Sequence, residues 1–160
     1  MRNTTLCYLE NRGRYLMLHR VKKAVDENRD KWIGVGGKFE EGESPEDCAV
    51  CEIREETGLS LEPDKLRFRS VVTFVSDEWG TEYMHLFTAS VPDAFLAQMP
   101  MKENDEGTLE WVPTDKVTEL PIWEGDKIFL RLLAEDAPFF SLKLEYQGDT
   151  LVRRTLYPAR

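Results

Sequence analysis

Apolar and polar residues alternate over 3–9 and again over 14–20, with the turn cluster Glu10-Asn11-Arg12-Gly13 between them. The pattern predicts two strands joined as a hairpin. Residues 21–30 are highly charged and predict a loop. Residues 32–38, WIGVGGK, predict a short strand running into a glycine-rich bend. A helix follows at 45–57. Ser44 stands at the N-cap, Pro45 at the first helical position, Asp47 three residues after the cap, and Gly58 where a C-cap glycine belongs. Strands are expected at 66–76, 82–90 and 108–113, with an irregular stretch at 93–106. A second helix is expected over 123–135, with Phe129, Leu130, Leu132 and Leu133 available for burial. Two alternating runs around Gln147-Gly148-Asp149 close the chain as a hairpin. Strands dominate with two helices interspersed, which predicts an α+β domain built on a mixed sheet covered by helices.

The length of 160 residues, 41% of them hydrophobic, suits one domain over 1–160 with a single core. A net charge of −9 argues against a nucleic acid polymer as partner, because a phosphate backbone calls for clustered Lys and Arg. A small anionic ligand is compatible with this charge if a metal ion sits between. No stretch approaches the length of a membrane span, and the N-terminus lacks a signal-peptide core, so a cytoplasmic location is expected. Three cysteines, Cys7, Cys48 and Cys51, make no disulfide framework.

The chemistry concentrates on the first helix. Glu52, Glu55 and Glu56 fall at i, i+3 and i+4, hence on one face, whereas Ala49, Val50 and Ile53 lie on another. Like charges so spaced cost ~0.2–0.5 kcal/mol per pair on an exposed helix. A hard divalent cation relieves the repulsion, and Mg²⁺ bridges carboxylates to substrate phosphates while keeping several waters. A merely solvated acidic face is the plain alternative. Gly34, Gly36 and Gly37 just before the helix weigh against it, since glycines let a backbone approach a ligand. Neither a P-loop nor a dinucleotide fingerprint can be drawn through them: Lys38 is followed by Phe39, which also occupies the third glycine position of the fingerprint.

The pattern G-x5-E-x7-R-E-U-x-E-E-x-G-U, with U a bulky aliphatic residue, runs from Gly37 through Glu43, Glu52, Ile53, Glu55, Glu56 and Gly58 to Leu59. Only Cys51 departs from it, at the Arg position. Residues 37–59 thus resemble the box of the Nudix hydrolases. The resemblance implies a mixed sheet sandwiched between helices and hydrolysis of a nucleoside diphosphate linkage. It implies Mg²⁺, or Mn²⁺, held by Glu52, Glu55 and Glu56 with backbone help from Gly36 and Gly37, and with Glu106 as a further carboxylate. Glu52 or Glu55 would hold or deprotonate the attacking water.

The flanks resemble the MutT-type 8-oxo-dGTP diphosphatases, which sanitise the nucleotide pool, especially the animal form. The similar segments are Trp32 to Lys38, Glu106 to Trp111, Leu120 to Asp126 and Tyr146 to Thr150. By this resemblance Trp123 stacks on the base, Asp126 reads it, and Arg20 contacts the substrate. Thr5, Ile33, Lys38 and Phe74 fall on other pocket positions. Ile33 stands where the animal enzyme has a base-reading Asn, and Gly125 where it has a second Asp, which implies broader base selectivity.

Other readings remain open. A different Nudix substrate, such as a dinucleotide or a nucleotide sugar, is one. A nucleotide sensor without catalysis is another, motivated by Cys51. A zinc or redox role for Cys48 and Cys51 is a third, weakened by the lack of a second cysteine pair.

Overall fold

The computed structural model describes residues 1–23, 26–97 and 102–158. The expected N-terminal hairpin forms. β1 (Arg2–Asn11) turns back antiparallel into β2 (Arg14–Arg20), with Asn11 opposite Arg14. Both turn residues, Arg12 and Gly13, take positive φ (51° and 73°), the conformation that fits a two-residue turn to the twist of a hairpin.

The single strand expected at 32–38 is two. β3 (Trp32–Ile33) pairs with β2, and β4 (Val35–Lys38) pairs with β1. Gly34 is the point of change, lying so close to the Cys7 carbonyl that a Cβ would stand 2.6 Å from its oxygen. Helix α1 (Pro45–Thr57) matches its expected bounds. It is followed by β5 (Arg67–Ser76), β6 (Gly80–Ser90) and a short helix, α2 (Asp93–Leu96). α2 interrupts the stretch expected to be irregular, of which 98–101 lies outside the described residues. β7 (Gly107–Pro113) leads to α3 (Asp126–Ala134), then to the hairpin of β8 (Phe140–Gln147) and β9 (Thr150–Pro158).

The sheet runs β3-β2-β1-β6-β5-β8-β9, with β4 also on β1 and β7 on β2. β1 and β6 are parallel, as are β5 and β8, and the remaining pairs are antiparallel. The α+β reading with a mixed sheet therefore holds. Thr4 to Leu9 are buried without a break, as a strand covered on both faces should be. Strand alternation shows what covers it: Thr5 meets Cys48 of α1, and Tyr8, on the opposite face, meets Phe129 of α3.

The second helix begins at Asp126, not at 123. Trp123, Glu124 and Gly125 form the turn before it, because the Gly125 N–H is bound by the Tyr146 hydroxyl at 2.7 Å. No helix among the described residues is long and apolar enough to cross a membrane.

Candidate active site

α1 is fixed at both ends before it presents any chemistry. Ser44 and Asp47 form a reciprocal capping box, and Gly58 closes the helix at φ 80°. On its inner side Ile53 and Ala49 are buried. The Cys48 thiol lies 3.4 Å from Thr5 Oγ1 and 3.6 Å from the Gly37 carbonyl. Burial raises the Cys48 thiol to about 11, so it packs as a neutral group.

The three glutamates share a face but sit at graded depths. Glu55 is exposed, Glu52 half-buried and Glu56 buried. Glu56 Oε2 accepts the Gly36 N–H at 3.1 Å, which docks the helix onto β4. Gly36 is required here, and Gly37 leaves room for Glu52. A Cβ at Gly36 would run into the Thr5 carbonyl, and one at Gly37 would stand 2.6 Å from Glu52 Oε2.

Glu106 reaches the same place from the loop before β7. The Asn104 side chain accepts the N–H groups of Glu106 and Gly107 and donates to the Glu56 carbonyl at 3.3 Å, stitching the loop to α1. Burial, then the nearby Glu106 carboxylate, push Glu56 well above the usual carboxylate range. Burial, then Glu55 and Glu106, push Glu52 up to about 7.

Among the described residues, none of the three helix glutamates forms an ion pair with a Lys or Arg. Arg20 is committed elsewhere, to Asp26 at 2.9 Å and Glu106 at 2.8 Å. It orients Glu106 from the cavity wall.

This donor set fits a divalent cation: three helix carboxylates without cationic partners, joined by Glu106, beside the glycines of β4. No three acidic, His or Cys side chains among the described residues converge as a closed cage. An open set of that kind suits a hard ion that keeps waters and takes further oxygens from a phosphate.

A cavity of about 700 Å³ opens beside these carboxylates, and Glu52, Glu55 and Glu106 lie on its wall. The seven residues expected to touch substrate, Thr5, Arg20, Ile33, Lys38, Phe74, Trp123 and Asp126, also border it. Trp123, expected to stack on the base, is largely enclosed by neighbours. It is 4% exposed, with Lys31 Nζ 4.3 Å over its ring and the rings of Phe74 and Tyr146 against it. Its indole N–H donates to Asn28 at 2.8 Å, tying the 26–31 segment to the cavity wall.

Asp126 is fully buried in the first turn of α3. Burial and Glu82 raise its carboxyl to about 8. Gly125 cannot stand in for a lost acidic side chain, since a Cβ there would strike Leu144 and Tyr146.

Sequence reasoning missed Arg2, Thr4 and Glu82. Thr4 Oγ1 donates to Glu82 at 2.8 Å, and Arg2 bridges Glu82 to Glu27. A signal was present: Glu82 alternates with Met84 and Leu86, so it belongs to an inward row.

Residues 1–133 match the NUDIX domain family model. The chain belongs to the Nudix family. It is a hydrolase acting on phosphoanhydride bonds of small nucleotide substrates, and such enzymes generally use divalent metal ions.

Among its relatives is the uncharacterized Nudix hydrolase YvcI of Bacillus subtilis, 33% identical over 129 residues, or 79% of this chain and 75% of the other. The oxidized purine nucleoside triphosphate hydrolase of Danio rerio is 30% identical over 129 residues, 79% of this chain and 77% of that one. A solved MutT protein of Bacillus halodurans superposes with a TM-score of 0.82 over all of both chains at 24% identity. The NUDIX domain of Shewanella oneidensis NrtR, solved with ADP ribose, superposes at 0.68 over 85% of this chain and 88% of that one, at 17% identity. The last two likenesses concern the fold alone.

Proposed function

We propose that this Nudix hydrolase is a Mg²⁺-dependent pyrophosphohydrolase of purine nucleoside triphosphates, with the 8-oxo-guanine form among its better substrates. The observation that carries the reading is the cavity itself. Its wall joins the carboxylates of α1 and Glu106 to a buried aromatic and acidic group, Phe74, Trp123 and Asp126. One region suits a metal-bound phosphate chain and the other a flat base with hydrogen-bonding edges. The oxidized purine triphosphate hydrolases among the relatives support the same substrate class.

Glu52, Glu55, Glu56 and Glu106 would hold Mg²⁺, with the Gly36 and Gly37 carbonyls beside them. The bound ion supplies neutralisation of phosphate charge and acidification of water. The chain's own residues do the rest. Gly36 N–H and the Asn104 bridge keep Glu56 and the loop bearing Glu106 in place. Arg20 turns Glu106 toward Glu56. Glu52 or Glu55, the helix acids that line the cavity, would take the proton of the attacking water. That water's oxygen bonds to a bridge phosphorus, the phosphorus–bridging oxygen bond breaks, and pyrophosphate departs from the monophosphate.

The test is a panel of purine and pyrimidine triphosphates, a dinucleotide and a nucleotide sugar, with products separated chromatographically. Monophosphate plus pyrophosphate from the purines is expected. Trp123→Ala is expected to raise KM for every purine, and Asp126→Asn to change the ratio between oxidised and plain guanine. Cleavage of the dinucleotide or sugar alone would overturn the reading.

A further inference from the structure

Glu82 has no part in the phosphate chemistry, yet it is a buried acid, 8% exposed, in the middle of a sheet and on the cavity wall. It stands opposite Phe74 in the β5–β6 register, facing the same side as Thr4 and Arg2 of the adjacent β1. A carboxylate at an inward strand position is costly unless something bonds it.

Two groups do. Thr4 donates to Oε2 at 2.8 Å, and Arg2 Nη2 lies 3.2 Å from Oε1. Arg2 is itself fixed, by Glu27 at 2.9 Å and the Trp79 carbonyl at 3.0 Å. Thr4 and Arg2 each hold one Glu82 oxygen and Glu27 lies beside the carboxyl, so its orientation is set, and each oxygen has a second lone pair to offer.

Asp126 borders the same cavity, 5% exposed, and no hydrogen bond reaches its carboxyl from the described residues. The charged groups facing these two acids are Arg2 and Glu27 on the Glu82 side and Lys31 beside Asp126.

We infer that Glu82 and Asp126 together read the substrate's base, Glu82 accepting from two adjacent N–H groups and Asp126 donating to the neighbouring carbonyl. The inference rests on the base-pocket reading above. Burial, then Glu27, raise the Glu82 carboxyl to about 7 against the opposing pull of Thr4 and Arg2, so a carboxylate able to accept is present from neutral pH upward. Asp126, raised to about 8 by burial and by Glu82, is protonated near neutral pH and has an O–H to give.

The two free acceptor sites of Glu82 match the ring N–H and exocyclic amino group of a guanine-type edge. An adenine edge offers one donor and leaves one site empty. Hypoxanthine lacks the amino group and does the same. Selectivity for guanine would then be built from β6, where the sequence motifs held no reader. It offsets Ile33, which has no polar atom, and Gly125, which has no room for one.

Two measurements test this. The first is kcat/KM of wild type and Glu82→Gln on dGTP, dITP and dATP. The second is dGMP and dAMP affinity without metal, read from tryptophan fluorescence. Glu82→Gln should lower kcat/KM for dGTP by ~10-fold or more, through KM with kcat nearly unchanged, and dATP by less than ~3-fold. The dGMP affinity should fall in step. Thr4→Val, which removes only the hydroxyl that aims Glu82, should shift dGTP the same way by a smaller factor. Melting temperatures of both variants confirm folding.

Equal losses on dGTP and dATP, or an unchanged dGTP to dATP ratio in both folded variants, would overturn the inference. The two readings can fail separately. If Trp123→Ala leaves every purine KM unchanged, the base pocket itself is wrong. If it raises them all while the Glu82 variants keep the ratio, only the role of Glu82 falls.

Discussion

Cys51 is the one residue at which the box departs from its family. Its thiol donates to Glu55 Oε1 at 3.5 Å, and Arg54 Nη2 lies 4.0 Å from the sulfur, so the position already touches a candidate metal ligand with a weak, uncharged donor. Cys51→Arg is expected to fold and to keep or raise kcat, because an arginine there can pair with Glu55 and hold it. Steady-state kinetics at saturating metal check it. A drop of ~10-fold or more in a variant with unchanged melting temperature would mean that the thiol has its own role.

At this scale the sequence was most readable where spacing alone decides. The i, i+3, i+4 glutamates share a face; the seven residues that border one cavity came from the family resemblance and not from spacing. It was least readable where partners come from far along the chain. Arg20 was expected to meet substrate, but its pairing with Glu106 and Asp26, 86 and 6 residues away, was not legible. Glu82 was missed because its partners, Thr4 and Arg2, lie on a strand that becomes a neighbour only in the folded sheet.

Among the elements, capping chemistry predicted α1 to the residue, whereas α3 was placed three residues early. The difference is physical. Ser44, Pro45 and Asp47 carry the start of α1 in their own side chains, but the start of α3 is set by a hydroxyl from β8 binding the Gly125 N–H. A Cβ at 125 would meet both that hydroxyl and Leu144. Gly125→Ala is therefore expected to destabilise the protein by ~1–3 kcal/mol through overpacking. Denaturant unfolding measures it, with the midpoint falling at constant slope. A neutral result would mean that the turn before α3 relaxes easily, and that the absence of a second acid there has no packing cause. The divided strand at Gly34 had no sequence sign beyond the glycine itself, since either half fits the same alternation.

For the whole molecule, raised carboxyls dominate the expected pH response. Burial leads for each of Glu52, Glu56, Glu82 and Asp126, with Glu52 up to about 7 and Asp126 up to about 8. An acid whose folded pKa is raised binds its proton more tightly in the folded chain. Its contribution to stability therefore falls as pH climbs from the ordinary carboxylate range through the folded value. With EDTA present, the melting temperature should decline between about pH 5 and pH 8. Mg²⁺ should restore more of it at pH 8 than at pH 6, because a cation binds the deprotonated set and stabilises the state it binds. Calorimetry across that range decides. A flat profile with no Mg²⁺ effect would mean that Glu52 and Glu56 are not part of a coupled metal site.

The most direct test of the central claim is turnover of dGTP by wild type, Glu55→Gln and Glu56→Gln at saturating Mg²⁺, with monophosphate and pyrophosphate quantified. The account predicts both products from the wild type, none above background in EDTA, and a loss of at least ~100-fold in each folded variant, since each removes a charged ligand from a site whose catalysis is electrostatic. Near-wild-type turnover in both variants would contradict it.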